Sequence, residues 1–227
     1  MKGLYCMNNY EIILRKTSYL EITEKIGNLK FITDGKWDWE HGLGHYKRVA
    51  LYIKRILEQL NATERMIELG MVAALLHDIG LSISGKEKQD HALKSSQIFR
   101  EFLVGTNITE EEMNVLEEAI KDHSNGNHIT SLIGAALVLA DKLDVTYHRT
   151  VNSSIQDEMN LEIQKIRKVD ITITENELTI FYETSGPLNF EILRGWEKAF
   201  TIPEKISKYL EKKYVLKVNG EVTNWRS

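Results

Sequence analysis

The 227-residue sequence has one cysteine, two prolines, no long apolar run and no excess of either charge. Cys6, being alone, can form neither an internal disulfide nor a thiolate metal site, and its place near the N-terminus gives it no catalytic partner in sequence. That usage suits a reducing cytoplasm. With 29 Lys and Arg against 33 Asp and Glu, a net charge of -4, nothing global advertises nucleic acid or an anionic membrane, and only a local basic groove stays open. The longest apolar run, Leu132 to Ala140, is far too short to span a bilayer, and Met1 to Glu11 lacks the charged-then-apolar profile of a signal peptide. The expectation is a soluble cytoplasmic protein without a membrane partner. Both prolines, Pro187 and Pro203, lie in the last quarter, so the first 185 residues contain nothing that forbids long helices.

The composition, 42% hydrophobic and 27% charged, is that of a globular chain large enough for one domain or one domain with a small appendage. Apolar residues recur at helical spacing in the first part: Ile12, Ile13, Leu20, Ile26 and Leu29 make one stripe, and Val49, Ile53, Ile56, Leu57 and Leu60 another. Further helices are expected over Thr63 to Asp78, ended by Gly80, over Asp90 to Val104, ended by Gly105, and over Glu110 to His123 behind a Thr109/Glu112 capping box. Ser131 to Asp144 predicts the most buried helix of the set, and Ser154 to Lys168 one more. After Lys168 the period changes to 2: Val169, Ile171 and Ile173, then Leu178, Ile180 and Tyr182, flank a Glu175-Asn176-Glu177 turn and predict a hairpin. One kinked or two short helices around Pro203 and a strand near Tyr214 to Val218 complete a small α+β unit. The predicted class is mainly α, with a helical domain over 1–168 and the α+β unit over 169–227.

Histidine carries the chemical information. His77 and Asp78 end an apolar helix, and Asp141 follows Ala135 to Ala140 on the most apolar one; a buried ionised carboxylate there needs a cation or hydrogen bonds. Asp141 is either a structural carboxylate paired with Lys142 or Arg149, or a metal ligand. His41 precedes His45 by four residues but falls in the Asp34 to Gly44 segment, rich in glycine and tryptophan and expected to be a loop, so it is placed outside the site. His128 and His148 are expected to be solvated.

The joint pattern is His45-Tyr46-Lys47-Arg48-Val49, His77-Asp78-Ile79-Gly80, Asp90-His91-Ala92, Asp122-His123 and Leu139-Ala140-Asp141-Lys142. It resembles the HD-domain superfamily of metal-dependent phosphohydrolases, over His45 to Asp141 with helical context to about Arg149. The resemblance implies an HD helical bundle with its metal-site core at 41–149, in which His45, His77, Asp78 and Asp141 hold one metal and Asp78 bridges to a second held by His91 and His123. Four His and two Asp without thiolate suit iron or manganese, with zinc, magnesium, cobalt and nickel also admissible, as divalent or mixed-valence ions. Two ions roughly 3.5 to 4 Å apart can turn a bridging water into hydroxide and clamp phosphoryl oxygens. Asp78 is thus the catalytic bridge, and Lys142, Arg149 and Lys121 are candidates to neutralise the remaining phosphate charge.

Within the superfamily the wording is similar to the symmetrically cleaving diadenosine tetraphosphate hydrolases and to the HD portion of ribonuclease Y. Two departures matter. Leu81 stands where many members carry a lysine, and Asn125-Gly126-Asn127 follows His123 where the cyclic-di-GMP phosphodiesterases have Gly-Tyr-Pro. Nothing resembles the KH domain or membrane anchor of ribonuclease Y. The expected activity is hydrolysis of a phosphoester or phosphoanhydride bond in a nucleotide or related phosphorylated small molecule. Alternatives are the mixed-valent diiron oxygenases of the superfamily and a catalytically weak nucleotide-sensing module. Nucleic acid is not the favoured partner, and a homodimer is the default assembly. The 169–227 unit is a lid, an interface, a sensor or a stabilising appendage.

Overall fold

The structure, a computed structural model, describes residues 7–29, 32–33, 36–37, 40–85, 88, 90–150 and 157–226. Cys6 and the first residues of the helix expected from Ser154 lie outside them. In chain order the elements are α1 (Asn9–Leu14), α2 (Thr17–Asn28), the short strands β1 (Ile32–Thr33) and β2 (Lys36–Trp37), α3 (Leu43–Gln59) and α4 (Glu64–Leu76). There follow α5 (His91–Ile98), α6 (Glu110–Asp122), α7 (Leu132–Leu143) and α8 (Glu158–Lys165). The chain ends with β3 (Ile166–Ile173), β4 (Glu177–Thr184), α9 (Phe190–Leu193), α10 (Lys198–Tyr209), β5 (Lys213–Val218) and β6 (Glu221–Val222).

Local signals account for most of these ends. Thr63 and Ser131 cap α4 and α7 by accepting from the backbone N–H of Met66 and Gly134, and Thr109 with Glu112 makes the full capping box of α6. α7 is buried along Ile133 to Ala140, as its composition predicts. On α3 the buried face is Val49, Ile53, Ile56 and Leu57. The segment Glu64–Ile83 is long and apolar enough to cross a bilayer, but here it is the central helix and following turn of the bundle, largely buried.

Several expectations are corrected. The N-terminal stripe is two helices, broken at Arg15–Lys16, and of its residues Leu20 and Leu29 are exposed while Ile13 and Ile26 are buried. The helix over Asp90 to Val104 is α-helical only to Ile98 and tightens into a 3-10 turn over Phe99–Leu103. Part of the expected Asp34 to Gly44 loop lies outside the described residues, but β2 ends within it and α3 begins before Gly44. Strand β3 starts at Ile166, so the expected 168/169 boundary falls inside a strand. The two-residue β6 is too short to leave a periodic signal.

The C-terminal sheet has the order β3-β4-β5-β6, with β3/β4 and β5/β6 antiparallel and β4/β5 parallel. The parallel pair requires the crossover that α9 and α10 supply. One hydrophobic core runs from α3, α4 and α7 into the sheet and α10, joining Ala140 and Leu57 to Ile171, Ile180, Phe200 and Ile206. The edge strand β3 is tied to α3: the Gln59 amide donates to Ile171 O at 3.2 Å and accepts from Ile173 N at 2.7 Å.

Candidate metal centre

The histidines and aspartates of interest all sit where helices begin or end. His45 is in the first turn of α3, His77 and Asp78 follow the last residue of α4, and His91 opens α5. His123 caps α6, and Asp141 is in the last turn of α7. Gly80 makes their convergence possible. A Cβ there would lie 2.3 Å from Ser95 N and 2.4 Å from His91 O, so only glycine lets the 3-10 turn Ile79–Ile83 press against the backbone of α5. Gly80 N–H also donates to Ser95 Oγ at 2.8 Å.

Asp78 is the hub. Its Oδ2 lies 3.8 Å from His45 Nε2 and 3.5 Å from His77 Nε2, while its Oδ1 lies 3.5 Å from His91 Nε2 and 3.2 Å from His123 Nε2. Asp141 Oδ1 faces the first pair, 3.3 Å from His45 Nε2 and 3.8 Å from His77 Nε2. All six residues proposed from the sequence as ligands are therefore brought to one place.

The opposite ring nitrogens fix the tautomers. His77 Nδ1 donates to Ala74 O at 2.8 Å, His91 Nδ1 to Lys88 O at 3.0 Å, His123 Nδ1 to Ile120 O at 2.7 Å, and His45 Nδ1 to Asp144 Oδ2 at 2.6 Å. With the proton on Nδ1, each Nε2 is a bare lone pair aimed at a carboxylate oxygen. Acceptors converging on acceptors repel unless cations lie between them. Consistently, His45 Nε2, His77 Nε2 and Asp78 Oδ1 are buried polar atoms with no hydrogen-bond partner among the described residues. The donor set of imidazole nitrogens and carboxylate oxygens fits one or two first-row divalent ions. At the second pair the Ser124 hydroxyl lies 3.0 Å from His91 Nε2 and 3.4 Å from His123 Nε2, a neighbour that no motif singled out.

Electrostatics prepares these groups. Burial drives His77 down to about 3 and His91 to about 4, so both stay neutral at physiological pH and keep their lone pairs. Burial alone would raise the carboxyls. For Asp78 the N–H donated by His41, and for Asp141 the Lys142 ammonium, prevail and hold each well below the usual carboxylate range.

His41 is not outside the site. Its Nδ1 donates to Asp78 Oδ2 at 3.0 Å, and with His45 and Asp78 it forms a third group of potential ligand atoms. The four-residue spacing from His45 does not place it, since α3 begins at Leu43 and His41 lies in the chain before it. Lys88 was also missed, and its ammonium lies 3.4 Å from His41 Nε2. It comes from a polar turn where Lys88 and Asp90 adopt positive φ, a conformation that no periodic pattern announces. Burial, and then the charges of Arg149 and Lys142, push Lys88 down to about 7. Leu81 is fully buried and packs on Ile26 and Ile22 of α2.

The proposed phosphate-binding cations are differently placed. Lys142 pairs with Asp141 Oδ2 at 2.5 Å, the structural pairing expected, while Oδ1 stays turned to the histidines. Arg149 is buried, with Nη1 3.0 Å from His45 Nδ1 and 3.1 Å from Asp144 O, on the side of the ring away from Nε2. Lys121 is exposed on α6, near Glu118 at 3.7 Å. His128 and His148 are exposed, as expected.

The HD domain profile matches residues 42–146, a span that contains the six proposed ligands and ends before Arg149. An uncharacterized protein of Clostridium beijerinckii is 31% identical over 120 residues, covering 52% of this chain and 72% of that protein. Ribonuclease Y of Mycoplasma mycoides is 26% identical over 154 residues, which are 68% of this chain but only 33% of the ribonuclease. Among solved structures, a predicted HD superfamily hydrolase from an uncultured Thermotogales bacterium is 25% identical, with a TM-score of 0.45 over 62% of this chain and 75% of its own.

Proposed function

The chain belongs to the HD-domain family, and from that premise we propose that it is a metal-dependent phosphohydrolase of a nucleotide or related phosphorylated small molecule, with two ions shared through Asp78. One observation carries this reading: four imidazole lone pairs and three carboxylate oxygens converge as acceptors, with the two oxygens of Asp78 turned to different histidine pairs. His45, His77 and Asp141 would complete one position, with His41 at its edge, and His91 and His123 the other. Iron or manganese are the ions the donor set suits best. Bound there, two such ions acidify water to a nucleophile near neutral pH and polarise phosphoryl oxygens.

The chain's own residues do the rest. Asp78, an anion to which His41 donates, fixes the spacing of the two positions. The outward Nδ1–H bonds lock each ring so that no reorganisation is needed on binding. His41 donates to Asp78 Oδ2 and accepts from Lys88, which makes the Lys88 ammonium the cation best placed to meet phosphate charge beyond the ions. Lys142 stays with Asp141. A single cysteine, which can form no internal disulfide, suits a cytoplasmic setting.

The test is a substrate panel of mononucleotides, dinucleoside polyphosphates, cyclic dinucleotides and an aryl phosphate, run with manganese- or iron-loaded protein beside Asp78→Ala. The proposal expects one phosphate class to be cleaved by the wild type and not by the variant. Oxygen uptake with no phosphate release would instead select the diiron oxygenase chemistry.

A further inference from the structure

Of the four histidines that aim Nε2 inward, three donate Nδ1–H to the backbone carbonyl three residues earlier: Ala74, Lys88 and Ile120. His45 does not. It sits in the first turn of α3, where Gly42 O, three residues back, accepts from Tyr46 N at 3.0 Å. Its Nδ1 turns to Asp144 instead. Asp144 lies three residues beyond Asp141 at the end of α7, is fully buried, and takes the His45 proton on Oδ2 at 2.6 Å.

Two arginines brace that carboxylate. Arg48, three residues after His45 and so on the same face of α3, donates Nε–H to Asp144 Oδ1 at 2.8 Å while its Nη2 holds Glu40 at 2.8 Å. Arg149 Nη1 donates to Asp144 O at 3.1 Å and lies 3.5 Å from Oδ2. Arg149 also comes within 3.0 Å of His45 Nδ1, and two groups that both donate can share that corner only because Asp144 accepts from each. A fully buried charge is thus compensated from two sides and by the imidazole between.

We infer that Asp144 is a positioning residue, whose carboxylate, braced by Arg48 and Arg149, keeps the proton of His45 on Nδ1 and so presents Nε2 to the metal position shared with His77 and Asp141. The inference rests on the metal-binding reading above. It also gives the two positions different character: one has a carboxylate-backed imidazole, the more basic ligand, and the other only carbonyl-backed ones. Burial would raise the Asp144 carboxyl, but the His45 hydrogen bond and the Arg149 and Arg48 charges hold it far below the usual range, so it acts as a permanent anion.

Asp144→Asn tests this. An amide keeps the volume but can turn its N–H₂ toward Nδ1, which moves the proton to Nε2 and blocks ligation. The tautomer is read by ¹⁵N-histidine NMR on metal-free protein, and the affinities by titration with manganese. In the wild type, His45 should be protonated on Nδ1 alone; in Asp144→Asn a large Nε2–H fraction should appear, with one ion bound about 10–100-fold more weakly and the other held as before. A merely structural role would lower the melting temperature without moving the tautomer. Nε2–H on His45 in the wild type would overturn the inference, and so would two unchanged affinities in the variant. If Asp144→Asn does not fold, Arg48→Met, at a partly exposed position, should weaken the same ion severalfold, and no change there would overturn the bracing. A wild type that binds no divalent ion would overturn the metal reading itself, and it is told apart because the tautomer is measured without metal.

Discussion

Imidazole neutrality in the centre has a thermodynamic consequence. His77 titrates at about 3 and His91 at about 4 in the folded, metal-free chain, because burial disfavours the charged ring, whereas an unfolded chain takes up those protons near 6.5. Between those values the unfolded state binds more protons, so stability rises with pH across the window and falls as acid is added. The depressed carboxyls of Asp78, Asp141 and Asp144 act in the same direction below their ordinary pKa. Urea denaturation of metal-free protein should show progressive loss of stability from about pH 6.5 down to 4, and loading with metal should steepen the acid limb, since protons and ions compete for the same lone pairs. A flat profile over that range would contradict the burial of these rings. At this scale the sequence was most legible: the joint pattern, through its resemblance to HD domains, singled out His45, His77, Asp78, His91, His123 and Asp141. What it could not carry was orientation. Arg149 and Lys142 lie close in sequence to proposed ligands, yet one bonds behind His45 and the other is bound to Asp141.

At the scale of elements, the site depends on helix ends meeting, and Gly80 is where two of them touch. It was expected as a helix stop, but α4 ends at Leu76 and Gly80 lies within the following 3-10 turn; its reason, a backbone approach to His91 O and Ser95 N, was not readable, because nothing in a linear pattern reports what lies across the turn. Gly80→Ala should push the 3-10 turn off α5, costing about 1–3 kcal/mol by overpacking and lowering the melting temperature by several degrees. It should also weaken the ion position of His91 and His123 more than the other. Calorimetry and metal titration on the same sample check both effects. The same limit explains the misplacement of His41: spacing along a helix was assessed, but α3 begins at Leu43, and His41 reaches Asp78 from the chain just before it.

For the whole molecule, the change of period near Lys168 correctly announced a sheet, yet it gave no hint that the sheet shares its core with the bundle. Ile171, Ile180, Phe200 and Ile206 pack in the same cluster as Leu137 and Ile53, and the lysines of α10 reach the segment after His123: Lys198 donates to Asn125 Oδ1 at 2.8 Å and Lys205 to Asn127 Oδ1 at 2.9 Å. Truncation after Lys168 would strip that apolar surface and cut β3 in its third residue. The shortened chain should be insoluble or unfolded, as judged by size-exclusion chromatography and circular dichroism; a soluble and metal-binding remnant would show the unit to be dispensable. The central claim, however, is that Asp78 holds two ions at once. The most direct measurement is metal stoichiometry together with electron paramagnetic resonance on manganese-loaded protein. Two ions per chain with an exchange-coupled spectrum, lost in Asp78→Ala, is the predicted result; a single uncoupled ion, or a coupled pair that survives in the variant, would contradict it.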